Sequence, residues 1–188
     1  MNDVALTLRD LADVMEGLGL TYAVIGGIAV RAYGIPRPTF DLDFTLAIPR
    51  DRLPELFGAV EKRGYSVPDS YQTGWVDPVA KMPLVKVRCY LQGQGVDVDM
   101  FLAETPFQQE VLKRRQLVET PDGNAWLATP EDVVLLKLLA NRPRDILDVN
   151  DILFTLGELD RDYLRTWDER LGVRSGLDDV LRQYDETI

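Results

Sequence analysis

Residues Tyr22 to Ile48 read YAVIGGIAVRAYGIPRPTFDLDFTLAI, and this stretch decides the fold. An apolar run, Tyr22 to Ile25, meets the pair Gly26-Gly27; a short helical segment, Ile28 to Tyr33, follows, and Thr39 to Ile48 reads as a second strand. Side chains alternate faces along a strand. The spacing therefore predicts Asp41 and Asp43 on one side, with Phe40, Leu42 and Phe44 on the other. Two like charges held together repel unless a cation lies between them, and the hard ion suited to carboxylates and phosphate oxygens is Mg²⁺. Glycines at the point where a strand gives way to a helix offer backbone N–H groups to phosphate. Each feature alone has a plainer reading, a turn for the glycines and a polar strand face for the aspartates. Their short separation joins them, and together they imply chemistry on a nucleoside triphosphate.

Outward from this unit the periods are clear. Val4, Leu8, Leu11, Met15 and Leu18 recur at helical spacing, and Leu53, Leu56, Phe57 and Val60 mark a helix that ends near Gly64. Val85, Val87 and Cys89 alternate with Lys86, Arg88 and Tyr90. Gln92 to Gly95 then turn the chain into a strand from Val96 to Leu102, which makes a hairpin with Asp97 and Asp99 on one face. Ser66 to Pro83 has no clear period and reads as a loop or a short strand. Thr105-Pro106 and Thr129-Pro130 each pair an N-cap threonine with a first-turn proline, Pro121 to Asn124 is a turn between short strands, and Arg144 to Tyr184 is helical. The expected architecture is α+β. A small mixed sheet flanked by helices forms a core over residues 1–128, and a helical region over 129–188 packs on it.

The order Gly26-Gly27-Ile28-Ala29, then Arg37-Pro38-Thr39-Phe40-Asp41-Leu42-Asp43, resembles the nucleotidyltransferase superfamily. Within it the chain is similar to small bacterial enzymes of the abortive-infection toxin type, from about Tyr22 to Leu153. The resemblance implies a nucleotide contact by Gly26, Gly27, Arg37 and Thr39, and a two-metal Mg²⁺ site on Asp41, Asp43 and a third aspartate. Asp99, just before Met100-Phe101-Leu102, matches that third position ahead of Asp97, the second candidate. Lys137, followed by Arg144-Asp145-Ile146-Leu147-Asp148, resembles the helical tail of these enzymes and is expected at the phosphates rather than as a rim lysine. Asp145 and Asp148 read equally as helix-start acids or as groups that orient Lys137 or Arg144. Arg37 reads equally as a surface residue or as a guanidinium beside the triphosphate. Much of the superfamily has Gly-Ser where this chain has Gly26-Gly27, so a hydroxyl is missing from the cradle.

The implied reaction is transfer of a nucleoside monophosphate from a nucleoside triphosphate to a hydroxyl, with release of pyrophosphate. The acceptor is an RNA, a protein side chain or a small molecule, and an antitoxin is a candidate partner in a toxin–antitoxin or phage-defence setting. Two alternatives stand beside it. One is a non-catalytic nucleotide-binding or antitoxin-like member of the same fold. The other is a phosphatase of the haloacid-dehalogenase type, whose nucleophile loop Asp41-Leu42-Asp43-Phe44-Thr45 resembles; that reading lacks the later Gly-Asp pair and does not explain Gly26-Gly27.

Composition narrows the field. With 46% hydrophobic and 28% charged residues among 188, the chain is folded rather than disordered. It has no histidine, which excludes histidine acid–base catalysis and histidine-ligated zinc and leaves the carboxylates. Cys89 is the one cysteine, expected as a buried thiol without a disulfide partner. A net charge of −10 argues against a general nucleic-acid binder, and Lys113-Arg114-Arg115 reads as a helix C-terminus complementing the dipole. With no charged-then-apolar leader and no membrane-length run, the expected place is the cytoplasm, with no membrane partner.

Overall fold

The computed structural model describes residues 3–72, 75–76, 82–91, 94–120 and 123–187. The elements run α1 (Asp3–Gly17), β1 (Thr21–Ile25), α2 (Gly26–Tyr33), β2 (Leu42–Ala47), α3 (Leu53–Lys62), β3 (Tyr65–Ser66), β4 (Trp75–Val76), β5 (Pro83–Leu91), β6 (Gln94–Leu102), α4 (Pro106–Arg114), β7 (Gln116–Thr120), β8 (Gly123–Leu127), α5 (Pro130–Ala140), α6 (Pro143–Leu156), α7 (Arg161–Leu171) and α8 (Arg174–Asp185). The fold is α+β, as expected. No helix among the described residues is long and apolar enough to cross a membrane.

The chain divides into two compact units, one of residues 1–28 and 38–128, the other of residues 29–37 and 129–188. The first holds a mixed eight-stranded sheet in the order β3-β5-β6-β2-β1-β8-β7, with β4 also paired to β5. β2 runs parallel to β6 and β1 parallel to β8, whereas β1 with β2 and β5 with β6 are antiparallel. Alternation does the sorting. Leu42, Phe44 and Leu46 on β2 and Val96, Val98, Met100 and Leu102 on β6 are buried, while the intervening residues Asp43 and Asp99 are half-buried. Burying each such apolar side chain contributes about 1.5–3 kcal/mol. α1 packs on β1, β6 and β8, α4 on β1 and β2, and α3 on α1.

Two strands lay in the stretch without a legible period. β3 and β4 are two residues each, too short to show a period, and both pair with β5. Residues 73–74 and 77–81 of that stretch lie outside the described ones, as do Gln92, Gly93, Pro121 and Asp122 of the expected turns and the side chain of Cys89. β2 begins at Leu42 rather than Thr39. Its partner β1 ends at Ile25, opposite Asp43, and Pro38 has no N–H to donate to a ladder. Phe40 therefore does not share the buried face expected for it: it is 73% exposed, against 0% for Leu42 and Phe44. Asp41 lies just before the strand and is exposed.

The second unit is helical. α5 packs on α6 and α7, and α8 on α6 and α7. Thr129 caps α5 as its sequence predicts, accepting from the Asp132 N–H. Asn141, at φ 49°, ends α5 by returning its N–H to the Lys137 carbonyl. α4 opens on a capping box between Thr105 and Gln108 and closes on Lys113 and Arg114, as expected for that cluster. Beyond it, Arg115 donates to the Leu112 carbonyl and lies over the Trp126 ring.

Candidate functional site

The first unit carries a carboxylate site built by strand register. Gly26 has φ +63°, the left-handed region, and starts α2. A Cβ at Gly26 would lie 1.9 Å from Asp43 Oδ2, and one at Gly27 would lie 2.5 Å from Thr39 Oγ1. Both glycines are thus required for close approach, and they bring an acid and a hydroxyl against the amide end of α2. Thr39 Oγ1 fills the space that a side chain at position 27 would take. A hydroxyl absent from Gly26-Gly27 is returned to the helix terminus by Thr39.

On the other side of Asp43 stands Asp99, its register partner on β6. Neighbouring strands are about 4.8 Å apart, so the two carboxyls share one face at one level. Asp97 lies two residues toward the hairpin turn, beyond the last residue that β2 pairs. The cross-strand partners on β5 are Lys86 for Asp99 and Arg88 for Asp97. The Lys86 ammonium donates to both oxygens of Asp99, at 2.6 and 2.8 Å. Arg88 grips Asp97 with its Nε and, at 2.9 Å, its Nη2, but both of these side chains are about half exposed.

The electrostatics separate the two acids. Burial pushes the Asp99 carboxyl above its ordinary value, opposed by the Lys86 hydrogen bonds and reinforced by the charges of Asp41 and Asp97. The guanidinium of Arg88 holds Asp97 below the ordinary carboxylate range. Burial is thus the main reason that Asp99 is raised, and Lys86 is the cation that opposes it. Among the described residues no three Asp, Glu, His or Cys side chains converge as a metal cage. Mg²⁺ in phosphoryl-transfer sites does not need one, because one or two carboxylates and the substrate phosphates supply its oxygens. Asp43 and Asp99 are the two carboxylates that the register sets level, and Asp41 lies exposed just before the strand.

The second unit holds the remaining expected residues. Lys137 on α5 is bonded to Asp145 Oδ1 at 2.9 Å and to Asp148 Oδ2 at 2.7 Å. Arg37 makes a bidentate pair with Asp148, at 2.6 and 2.7 Å, and Arg142 donates its Nε and its backbone N–H to Asp145 Oδ2. Asp145 and Asp148 are 2% and 1% exposed. Burial pushes both carboxyls up, but the bonds from Arg142, Arg37 and Lys137 outweigh it and hold them below the ordinary range. Asp145 fills both roles open to it, accepting from the backbone N–H that starts α6 and bonding Lys137, while Asp148 bonds Lys137 and Arg37. The charged groups of Arg37 and Lys137, expected at phosphate, are thus engaged by carboxylates of their own unit.

Sequence reasoning missed Lys86 and Arg142. For Lys86 the signal was present: in a hairpin centred on residues 92–93, Lys86 and Arg88 fall opposite Asp99 and Asp97. Arg142 acts through its place at the start of α6, which shows in no periodicity.

No protein-family model matches the sequence, and no curated protein matches it. Solved structures do. An antigenic nucleotidyltransferase-like protein from Paracoccidioides brasiliensis superposes with a TM-score of 0.57 at 18% identity, covering 96% of this chain and 92% of its own. ANT(2'')-Ia in complex with adenylyl-2''-tobramycin gives 0.59 at 14% identity, over 93% of this chain and 99% of that one. The solution structure of ANT(2'')-Ia gives 0.58 at 15%, over 98% and 100%. At such identities the likeness establishes the fold, and the fold is that of the nucleotidyltransferases.

Proposed function

We propose that this chain, on a nucleotidyltransferase fold, transfers a nucleoside monophosphate from a nucleoside triphosphate to an acceptor hydroxyl and releases pyrophosphate. The observation that carries the reading is the register that sets Asp43 against Gly26 on one side and level with Asp99 on the other. The phosphatase alternative falls with the fold.

In this reading Asp41, Asp43 and Asp99 hold Mg²⁺, which when bound neutralises the triphosphate and stabilises charge on the entering and leaving oxygens. The N–H groups at the start of α2 and the Thr39 hydroxyl bind phosphate oxygens, helped by the positive end of the helix. Arg37 and Lys137, assigned to phosphate by the motif resemblance, are held by Asp148 and Asp145 of their own unit, so the phosphate contacts proposed here are those of the α2 N–H groups and Thr39. The acceptor oxygen bonds to the α-phosphorus as the bond from that phosphorus to the bridging oxygen breaks, and Asp99 takes the acceptor proton.

A small hydroxylated acceptor is favoured over RNA by the net charge of −10 and by the full-length likeness to a protein holding an adenylylated tobramycin. A toxin–antitoxin or phage-defence setting rests on the motif resemblance at Gly26–Ala29, Arg37–Asp43 and Arg144–Asp148. The test is release of pyrophosphate when the purified chain, Mg²⁺ and each labelled nucleoside triphosphate are offered cell extract. Label should pass to an acceptor in step with pyrophosphate. Nucleotide binding without either product would favour the non-catalytic reading instead.

A further inference from the structure

Asp99 and Asp43 are direct register partners on adjacent strands, an arrangement that is destabilising for two acids unless a cation is supplied. The protein supplies one. Lys86, directly across from Asp99 on β5, places its ammonium within 2.8 Å of both Asp99 oxygens. The pair is partly withdrawn from water, with Lys86 34% and Asp99 24% exposed. The next pair on the same ladder, Arg88–Asp97, is 47% and 49% exposed and has the character of a surface ion pair.

A second divalent ion reaching Asp99 would meet the Lys86 charge a few ångströms away, a repulsion that a half-buried site screens poorly. A lysine ammonium also has only donors, so it orients the carboxylate without competing for the acceptor proton.

We propose that Lys86 takes the place of a second metal ion, so that this chain works with one Mg²⁺ and positions Asp99 with a built-in ammonium. The inference rests on the nucleotidyltransferase reading and departs from the two-metal site implied by the family resemblance. Lys86 is in this sense a positioning residue.

The experiment counts ions. The chain is brought to dialysis equilibrium with Mn²⁺ and saturating α,β-methylene nucleoside triphosphate, each base in turn, and the excess of total Mn²⁺ on the protein side gives the ions bound per chain. Wild type should hold one Mn²⁺ per chain and Lys86→Met two, with Lys86→Arg returning to one. Lys86→Gln serves as the second uncharged variant should the methionine fail to fold. Two ions in wild type would overturn the proposal and leave the nucleotidyltransferase reading standing. One ion in a folded Lys86→Met or Lys86→Gln would overturn it likewise. No Mn²⁺-dependent nucleotide binding by wild type would overturn both.

Discussion

Each unit of this protein holds a lysine bonded to aspartate, and the two lysines do opposite work. In the helical unit Lys137, Arg37 and Arg142 surround Asp145 and Asp148, so three cations meet two acids that are almost fully buried. Both carboxyls are held below their ordinary range. In the sheet unit Lys86 bonds both oxygens of Asp99, with Asp43 level beside it and Asp41 and Asp97 contributing negative field. That carboxyl is pushed up. Burial is the largest influence on all three carboxyls; bonds from two cations outweigh it at Asp145 and at Asp148, and the Lys86 ammonium does not outweigh it at Asp99. The helical cluster braces its own unit, whereas the sheet edge at Asp43 and Asp99 is the place proposed here for a cation and a phosphate from outside.

The comparison breaks if the helical cluster is dispensable. Asp148→Ala removes the bidentate pair with Arg37 and one of the two carboxylate bonds of Lys137, which keeps Asp145, and should cost about 3–5 kcal/mol in urea unfolding. The sign of the pH dependence follows from the lowered carboxyls. Asp145 and Asp148 have folded values below the unfolded value of about 3.9, so their stabilisation is complete above about pH 4 and is lost as pH falls through the folded values. Acid unfolding curves of wild type should show that loss, and Asp148→Asn should flatten it.

At the acid edge the expected effects fall on turnover. Gly26→Ala puts a Cβ 1.9 Å from Asp43 Oδ2 at a left-handed φ. Displacing that carboxylate should cost about 10²-fold or more in rate, together with roughly 1–2 kcal/mol of stability. Asp99→Asn should lower the rate by about 10²-fold, the scale of a general base, with nucleotide affinity retained in a binding assay. Asp97→Asn is the mild control. Its half-exposed pair with Arg88 should change stability by less than about 1 kcal/mol, and turnover little.

How much of this was legible in the sequence follows from how local each signal is. The glycine pair, the strands on either side of it and the threonine–proline helix starts are written in neighbouring residues, and all are present, the second strand beginning three residues later than expected. β3 and β4, two residues each, exist only because β5 offers an edge, and no period of two can be seen in two residues. The exposed position of Phe40 depends on where β1 stops, which is a tertiary fact. At the site, alternation alone implied that Asp41 and Asp43 share a face, but Asp41 precedes the ladder. The level placement of Asp43 and Asp99 comes from a parallel pairing of distant strands, and no spacing in the chain encodes that register. Arg37 and Lys137 were legible as cations worth noting, but their carboxylate partners lie up to 111 residues away.

The most direct test of the central claim, that the edge formed by Asp41, Asp43 and Asp99 is a site for a metal-bound nucleotide, is calorimetric titration of a non-hydrolysable nucleoside triphosphate with and without Mg²⁺. The account predicts binding to wild type that depends strongly on Mg²⁺, and loss of that dependence in Asp43→Asn while its unfolding curve stays that of a folded protein. Equal affinity in the presence and absence of Mg²⁺ would contradict it.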